Sequence, residues 1–269
     1  MSKTIVAAGC FNGIGSNHIR FIHEISKFGD LEIILFSDEL VKSVTGSEPK
    51  YKEAERRYFL ESVRYVSGVH TINESAELKE AAKIVGEDLD QLYTLDVDAV
   101  GGVVREQGVE HTVIKAADLD GFPEHDYDLE TTSGKKVLVT GCFDWFHSGH
   151  VRFFEEASEH GDLYVVLGHD KNLELLKGPG HPMFPEDERK YMAGSVRFVK
   201  QALISTGSGW LDAEPEIKSI RPDAYVVNED GDKDVKRQYC QENGLEYIVL
   251  KREPKPGLDR RTSTDLRGF

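Results

Sequence analysis

The sequence predicts an α/β fold of doubly wound parallel sheets, built twice in tandem. Three observations lead there. Short, wholly apolar runs alternate with amphipathic stretches, as in buried parallel strands joined by crossover helices. A glycine turn separates the first strand from the first helix of each half. The halves also repeat. Gly9-Cys-Phe-Asn-Gly-Ile-Gly-Ser-Asn-His18 matches Gly141-Cys-Phe-Asp-Trp-Phe-His-Ser-Gly-His150 at an offset of 132 residues, and the same offset pairs Gly29-Asp-Leu31 with Gly161-Asp-Leu163. One inserted residue later, Glu55-Arg-Arg-Tyr58 and Ser62-Val-Arg64 pair with Glu188-Arg-Lys-Tyr191 and Ser195-Val-Arg197. Self-similarity at one long period marks two copies of a domain.

Each half opens on a strand, at 4–7 and 136–139, followed by a helix at 17–28 and 150–160. A fully apolar strand comes next, at 31–35 and 163–167, then a helix at 53–64 and 186–197. The second half continues with a helix at 213–219, a strand at 224–227, a helix at 232–242 and a strand at 246–250. Shared dipeptides pair Asp98 with Asp223, and Gly108-Val-Glu110 pairs with Gly244-Leu-Glu246, so the first half is shortened in between. Gly, Pro, Asp, Thr and Ser concentrate in 119–134 and mark a linker, giving domains 1–133 and 134–269.

At 269 residues, two domains of about 130 each lie in the usual size range. No run approaches the roughly 20 apolar residues of a membrane span. No charged-then-apolar leader opens the chain. Three cysteines make no disulfide framework and no CxxC occurs, so a reduced, cytoplasmic setting is expected. Cys10 and Cys142 occupy equivalent places and read as small, partly buried residues. A net charge of −15 argues against a nucleic-acid partner, which needs a basic face. It does not argue against anionic small ligands, because a pocket needs only a few aimed cations.

The stretch 141–150 reads as strand, tight turn and helix start. Two histidines and a glycine therefore sit where free N–H groups and a positive dipole end make a natural phosphate site. His147-x-Gly-His150 in this setting resembles the HxGH signature of the cytidylyltransferase-like nucleotidyltransferase superfamily, and the resemblance covers nearly all of 135–267 and, weakly, 3–118. The superfamily has a Rossmann-like sheet, and its tandem arrangement is similar to that of ethanolamine-phosphate cytidylyltransferases.

The resemblance implies that His147 and His150 bind a triphosphate and stabilise the transition state, while Gly141, Cys142, Phe143, Asp144 and Gly149 form the nucleotide-binding turn. It implies a phosphate-reaching lysine at Lys177, in the loop beyond the second strand, and phosphate-binding arginines at Arg189 and Arg197. It places Thr262, Ser263 and Thr264, in the tail Arg261-Thr-Ser-Thr-Asp-Leu-Arg267, at the triphosphate. It also places Asn228 and Asp230 near the nucleoside, with Asn228 departing from the family's glycine. Trp210 either lines the acceptor pocket or packs. The implied reaction joins CTP to a small phosphorylated or phosphonate alcohol, with Mg²⁺ as the counter-ion of the triphosphate and no protein metal site. The alternative is an ATP-dependent adenylyltransferase, since relatives using ATP make FAD, NAD, dephospho-coenzyme A and ADP-heptose.

The first half reads as a silent copy. Gly15 stands for His147, Asn17 for Gly149 and Thr45 for Lys177, and only His18 is kept. Thr131-Thr-Ser-Gly134 is at best a remnant of the tail. Relatives pair as dimers, so this half is expected to act as a built-in pseudo-dimer partner, with a homodimer of the whole chain also open. Two competing readings are weaker. Gly9-x-x-x-Gly13-Ile-Gly15 fits the glycines of short-chain dehydrogenases, yet the second turn keeps only the first of them, and no Tyr-x-x-x-Lys pair is placed for hydride chemistry. A non-enzymatic nucleotide sensor is disfavoured by the intact second signature.

Overall fold

A computed structural model describes residues 3–85, 92–98 and 100–262. The chain divides into two compact units, Met1–Gly121 and Phe122–Phe269. The first unit runs β1 (Thr4–Gly9), α1 (Ser16–Ser26), β2 (Asp30–Phe36), α2 (Asp38–Thr45), α3 (Glu53–Glu61), β3 (Val66–Ile72), α4 (Leu78–Val85), β4 (Leu92–Leu95), α5 (Gly101–Glu106) and β5 (His111–Ile114). The second repeats this order as β6 (Lys136–Gly141), α6 (Ser148–Ser158), β7 (Asp162–Leu167), α7 (Asp170–Lys177), α8 (Glu186–Gly194), β8 (Val199–Ile204), α9 (Glu214–Ile220), β9 (Ala224–Asn228), α10 (Asp234–Glu242) and β10 (Glu246–Leu250). Each unit holds one five-stranded sheet, ordered β3-β2-β1-β4-β5 and β8-β7-β6-β9-β10, with every strand pair parallel.

The central strands are covered on both faces. Val137, Leu138, Val139, Val165, Val166 and Leu167 are buried in the second unit, as are Ile5, Val6, Ala7, Ile33, Ile34 and Leu35 in the first. In an open parallel sheet the chain reverses direction on either side of the first strand, which leaves a crevice at the carboxyl ends. That crevice falls between β6 and β9.

Two elements in each unit differ from the sequence reading. The segments after β2 and β7 are helices, not loops. Ser37 Oγ accepts the Leu40 N–H at the start of α2, and His169 Nδ1 accepts the Asn172 N–H at the start of α7. Gly46 and Gly178, at φ 78° and 91°, end them. Side-chain caps at one end and a glycine at positive φ at the other suffice for eight residues whose apolar content is low. The edge strands β3 and β8 were not expected either. They bury only scattered positions along their length, so they carry no apolar run.

Two further differences from the sequence reading concern alignment and the extent of the units. The sequence pairs Asp98 with Asp223, but the sheets do not. Val6 pairs with Leu92 as Leu138 pairs with Tyr225, so Leu92 and Tyr225 correspond. Asp98 therefore lies beyond the carboxyl end of β4, at the place of Gly231, whereas Asp223 precedes β9. The shortening of the first unit sits in α5, six residues against nine in α10. The unit boundary falls at 121/122, ahead of the expected 133/134, because 122–133 packs on the second unit. His125 stacks on Tyr191 and Thr132 Oγ1 donates to Asp162. Thr131–Gly134 thus braces the amino end of β7.

Candidate active site

β6 ends at Gly141, and the chain turns sharply before α6. The turn depends on Phe143, a non-glycine residue at φ 50°. A left-handed residue of this kind costs about 1–3 kcal/mol and persists only where packing holds it. Here the ring is buried edge-on against His150 and Phe154, at centroid distances of 5.3 and 5.0 Å. Gly141 makes room for it, since a Cβ there would lie 2.7 Å from the ring. Among the described residues nothing accepts the Phe143 N–H, and Phe143 lines a cavity of about 340 Å³ at the carboxyl ends of β6 and β9.

His147 is the N-cap of α6. Its Nδ1 accepts the Gly149 N–H at 3.0 Å, so a neutral ring carries its proton on Nε2. The ring stacks on His150 at a centroid distance of 4.0 Å. The cavity wall is formed by His150 and not by His147, which is only 3% exposed. His150 Nδ1 is buried with no protein partner among the described residues. Burial holds this imidazole well below its usual pKa, and the charges of His147, Arg252 and Lys177 push in the same direction. The ring is therefore neutral beside a concentration of positive charge, an arrangement suited to a polyanion.

Gly149 is needed for this pair. A Cβ on it would stand 2.8 Å from His147 Cε1 and 2.9 Å from Nδ1. Gly149→Ala is expected to swing the ring and lower turnover about 10- to 100-fold, as misplacement of about 1 Å does, while the melting temperature hardly moves. Steady-state kinetics beside a thermal melt would check this, and full turnover would separate the ring's orientation from the chemistry.

The cavity gathers most of the residues expected from the sequence. Gly141, Cys142, Phe143, Asp144, Gly149, His150, Lys177, Asn228, Asp230 and Thr262 all line it. Lys177 is the exposed last residue of α7, at its mouth. Asp144 has a second duty: its carboxylate accepts the Met183 and Phe184 N–H groups and anchors the loop before α8. Ser263 and Thr264 lie outside the described residues.

Two expected phosphate-binding residues are placed differently, and Trp210 takes the packing alternative. Arg189 is 1% exposed and binds the protein itself. Its guanidinium donates to the carbonyl oxygens of Cys142, Phe184 and Gly168 and to Asp170, at 2.7–2.9 Å. It is a clamp on three loops, with no face left for a phosphate. Arg56 does the same in the first unit, donating to the carbonyls of Tyr51, Cys10 and Phe36 and to Asp38. Arg197 lies exposed in the turn before β8, and β8 begins where Val199 pairs with Leu163 near the amino end of β7. That is the opposite edge of the sheet from Gly141. Trp210 packs edge-on against Tyr239 and is not on the cavity wall.

Two cations on the wall were missed. Lys236, in the first turn of α10, lies 5.7 Å from the Tyr225 ring, and burial lowers its pKa. Arg252, two residues past β10, pairs with Asp230. Neither belongs to a sequence signature; the available signal was a cation just beyond the carboxyl end of a strand.

Residues 138–261 match the family described as cytidylyltransferase-like. The chain is 36% identical over 126 residues to the FAD synthase of Methanopyrus kandleri, a match covering 45% of this chain and 81% of that protein. The chain belongs to the cytidylyltransferase-like nucleotidyltransferases. Another FAD synthase, from Ferroglobus placidus, is 32% identical over 135 residues and 85% of its length. The bifunctional protein HldE of Vibrio atlanticus is 34% identical over 125 residues, a match spanning 26% of that longer protein. The family match falls within the second unit. Among the described residues, no helix is long and apolar enough to cross a membrane.

Proposed function

We propose that the second unit transfers an adenylyl group from ATP to the phosphate of a phosphorylated acceptor, releasing pyrophosphate. The observation that carries the reaction is His150, held by the stacked His147 at the start of α6 and facing a cavity that also holds the Phe143 N–H, without an acceptor among the described residues, and the cations Lys177, Lys236 and Arg252. An acceptor phosphate oxygen attacks the α-phosphorus, the bond to the β-phosphate oxygen breaks, and charge accumulates on the departing pyrophosphate. Aligned donors and cations lower that barrier without a protein nucleophile.

The choice of ATP rests on the relatives. FAD is FMN joined to AMP through a pyrophosphate bridge, so a FAD synthase carries an adenylyl group onto a phosphate ester. Lys177 and the Thr262 tail are phosphate-handling features that do not read a base, so they do not weigh against ATP. Mg²⁺ enters bound to the triphosphate and supplies charge neutralisation. Among the described residues no cluster of three or more His, Cys, Asp or Glu could hold a metal by itself, and the two wall carboxylates, Asp144 and Asp230, are engaged by the loop and by Arg252. The first unit takes no part in transfer, with Gly15 and Asn17 at the places of His147 and Gly149.

The test is Mg²⁺-dependent pyrophosphate release with ATP or CTP against FMN, sugar phosphates, glycerol phosphate and ethanolamine phosphate. Release with ATP and one acceptor is expected. Release with CTP alone would overturn the choice of donor. Nucleotide binding without release on any acceptor would return the protein to the sensor reading.

A further inference from the structure

The first unit keeps the turn without the chemistry. Phe11, at φ 47°, repeats the left-handed Phe143, and Arg56 holds the Cys10 carbonyl as Arg189 holds that of Cys142. The space in front of the turn differs. Where the second unit has Gly231 on the wall of an open cavity, the first has Asp98, only 6% exposed. Asp98 Oδ2 accepts the Phe11 N–H at 3.0 Å. It is pressed so closely on the turn that a Cβ on Gly9 would fall 2.2 Å from it. The corresponding N–H, that of Phe143, has no partner among the described residues.

We propose that Asp98 is a built-in surrogate for a substrate phosphate, its carboxylate occupying an anion cradle that the first unit retains and that accepts phosphate or pyrophosphate once the carboxylate is removed. Three facts support this. The group is an anion, it sits at the amide that lies open to the cavity in the second unit, and it is buried with no ion pair among the described residues, so the turn is its main source of compensation. Burial raises its pKa to about 6, against the Phe11 and Cys10 amides and Arg56, which favour the charged form. A carboxylate kept at that cost is matched to a site that selects anions. The first unit therefore holds the same left-handed turn as the second, with a carboxylate at its amide. The inference rests on the reading that the second unit's turn takes a phosphate.

Hydrogen exchange on the full chain tests it, read on the peptides around 4–15 and 137–150, with inorganic pyrophosphate as the probe. In the wild type, pyrophosphate is expected to slow exchange at 137–150 and leave 4–15 unchanged. In Asp98→Gly, which installs the residue of the second unit, the Phe11 amide is expected to exchange faster. It should then slow about tenfold at pyrophosphate about ten times its dissociation constant. Asp98→Ala serves if glycine loosens the chain too far. Asp98→Asn keeps an acceptor of the same shape and should leave 4–15 protected and blind to pyrophosphate. The proposal falls if 4–15 stays protected in Asp98→Gly and Asp98→Ala without the anion, or opens and is not restored while 137–150 responds. If neither peptide responds, the phosphate reading of the second unit fails and takes this one with it.

Discussion

His150→Ala lowers turnover about 100- to 1000-fold, the range expected when one preorganised donor to a developing oxyanion is removed. His150 is the histidine on the cavity wall, fixed from three sides: by the stacked His147 ring, by the edge of Phe143 and by its own place in the first turn of α6. Its buried Nδ1 has no partner among the described residues, and a bound ligand would supply one. Alanine removes that atom and leaves the helix cap intact, because the Gly149 N–H is accepted by His147. Binding of the nucleotide should therefore weaken far less than kcat. Pyrophosphate release under saturating substrate, with nucleotide affinity measured in parallel, reads the split. Turnover within about tenfold of the wild type would remove His150 from the transition state.

Arg189→Met destabilises the second unit by about 3–5 kcal/mol, the cost of breaking a buried, hydrogen-bonded charge network. The loss is large because the guanidinium is the shared partner of the Cys142, Gly168 and Phe184 carbonyls and of Asp170. Methionine fills the volume but leaves those acceptors dry. Arg189→Lys should recover only a small part, since one ammonium cannot reach four acceptors spread around a planar fork. Denaturant unfolding of both variants would check this; a loss below about 1 kcal/mol would show that the loops hold without the clamp.

The buried strands and the first turn of each half were legible because wholly apolar runs and a glycine between strand and helix have few other solutions. The edge strands β3 and β8 were not, because their burial is scattered along the strand. α7 was not, because it is held by the His169 cap instead of an apolar stripe. Asp98 was misaligned because an Asp-Ala dipeptide recurs by chance on either side of a strand. Most of the cavity wall was named by its signature, yet Arg189 shows what a signature hides. An arginine that binds phosphate and one that binds carbonyl oxygens are the same letter, and only burial separates them. Lys236 and Arg252 reach the wall through the fold, from segments with no pattern of their own.

The two arginine clamps grip backbone carbonyls in three loops, and every residue type supplies a carbonyl. Apart from Asp170 and Asp38, whose carboxylates the guanidiniums also bind, the loops they hold can therefore exchange their side chains without loosening. This is how one half of the chain can differ from the other at the places of His147, Gly149 and Lys177 and still keep the same strand order, the same turn and the same left-handed phenylalanine. Fold and chemistry are maintained by different residues in this protein, so the quieter half remains a sound scaffold on which a different site could be written.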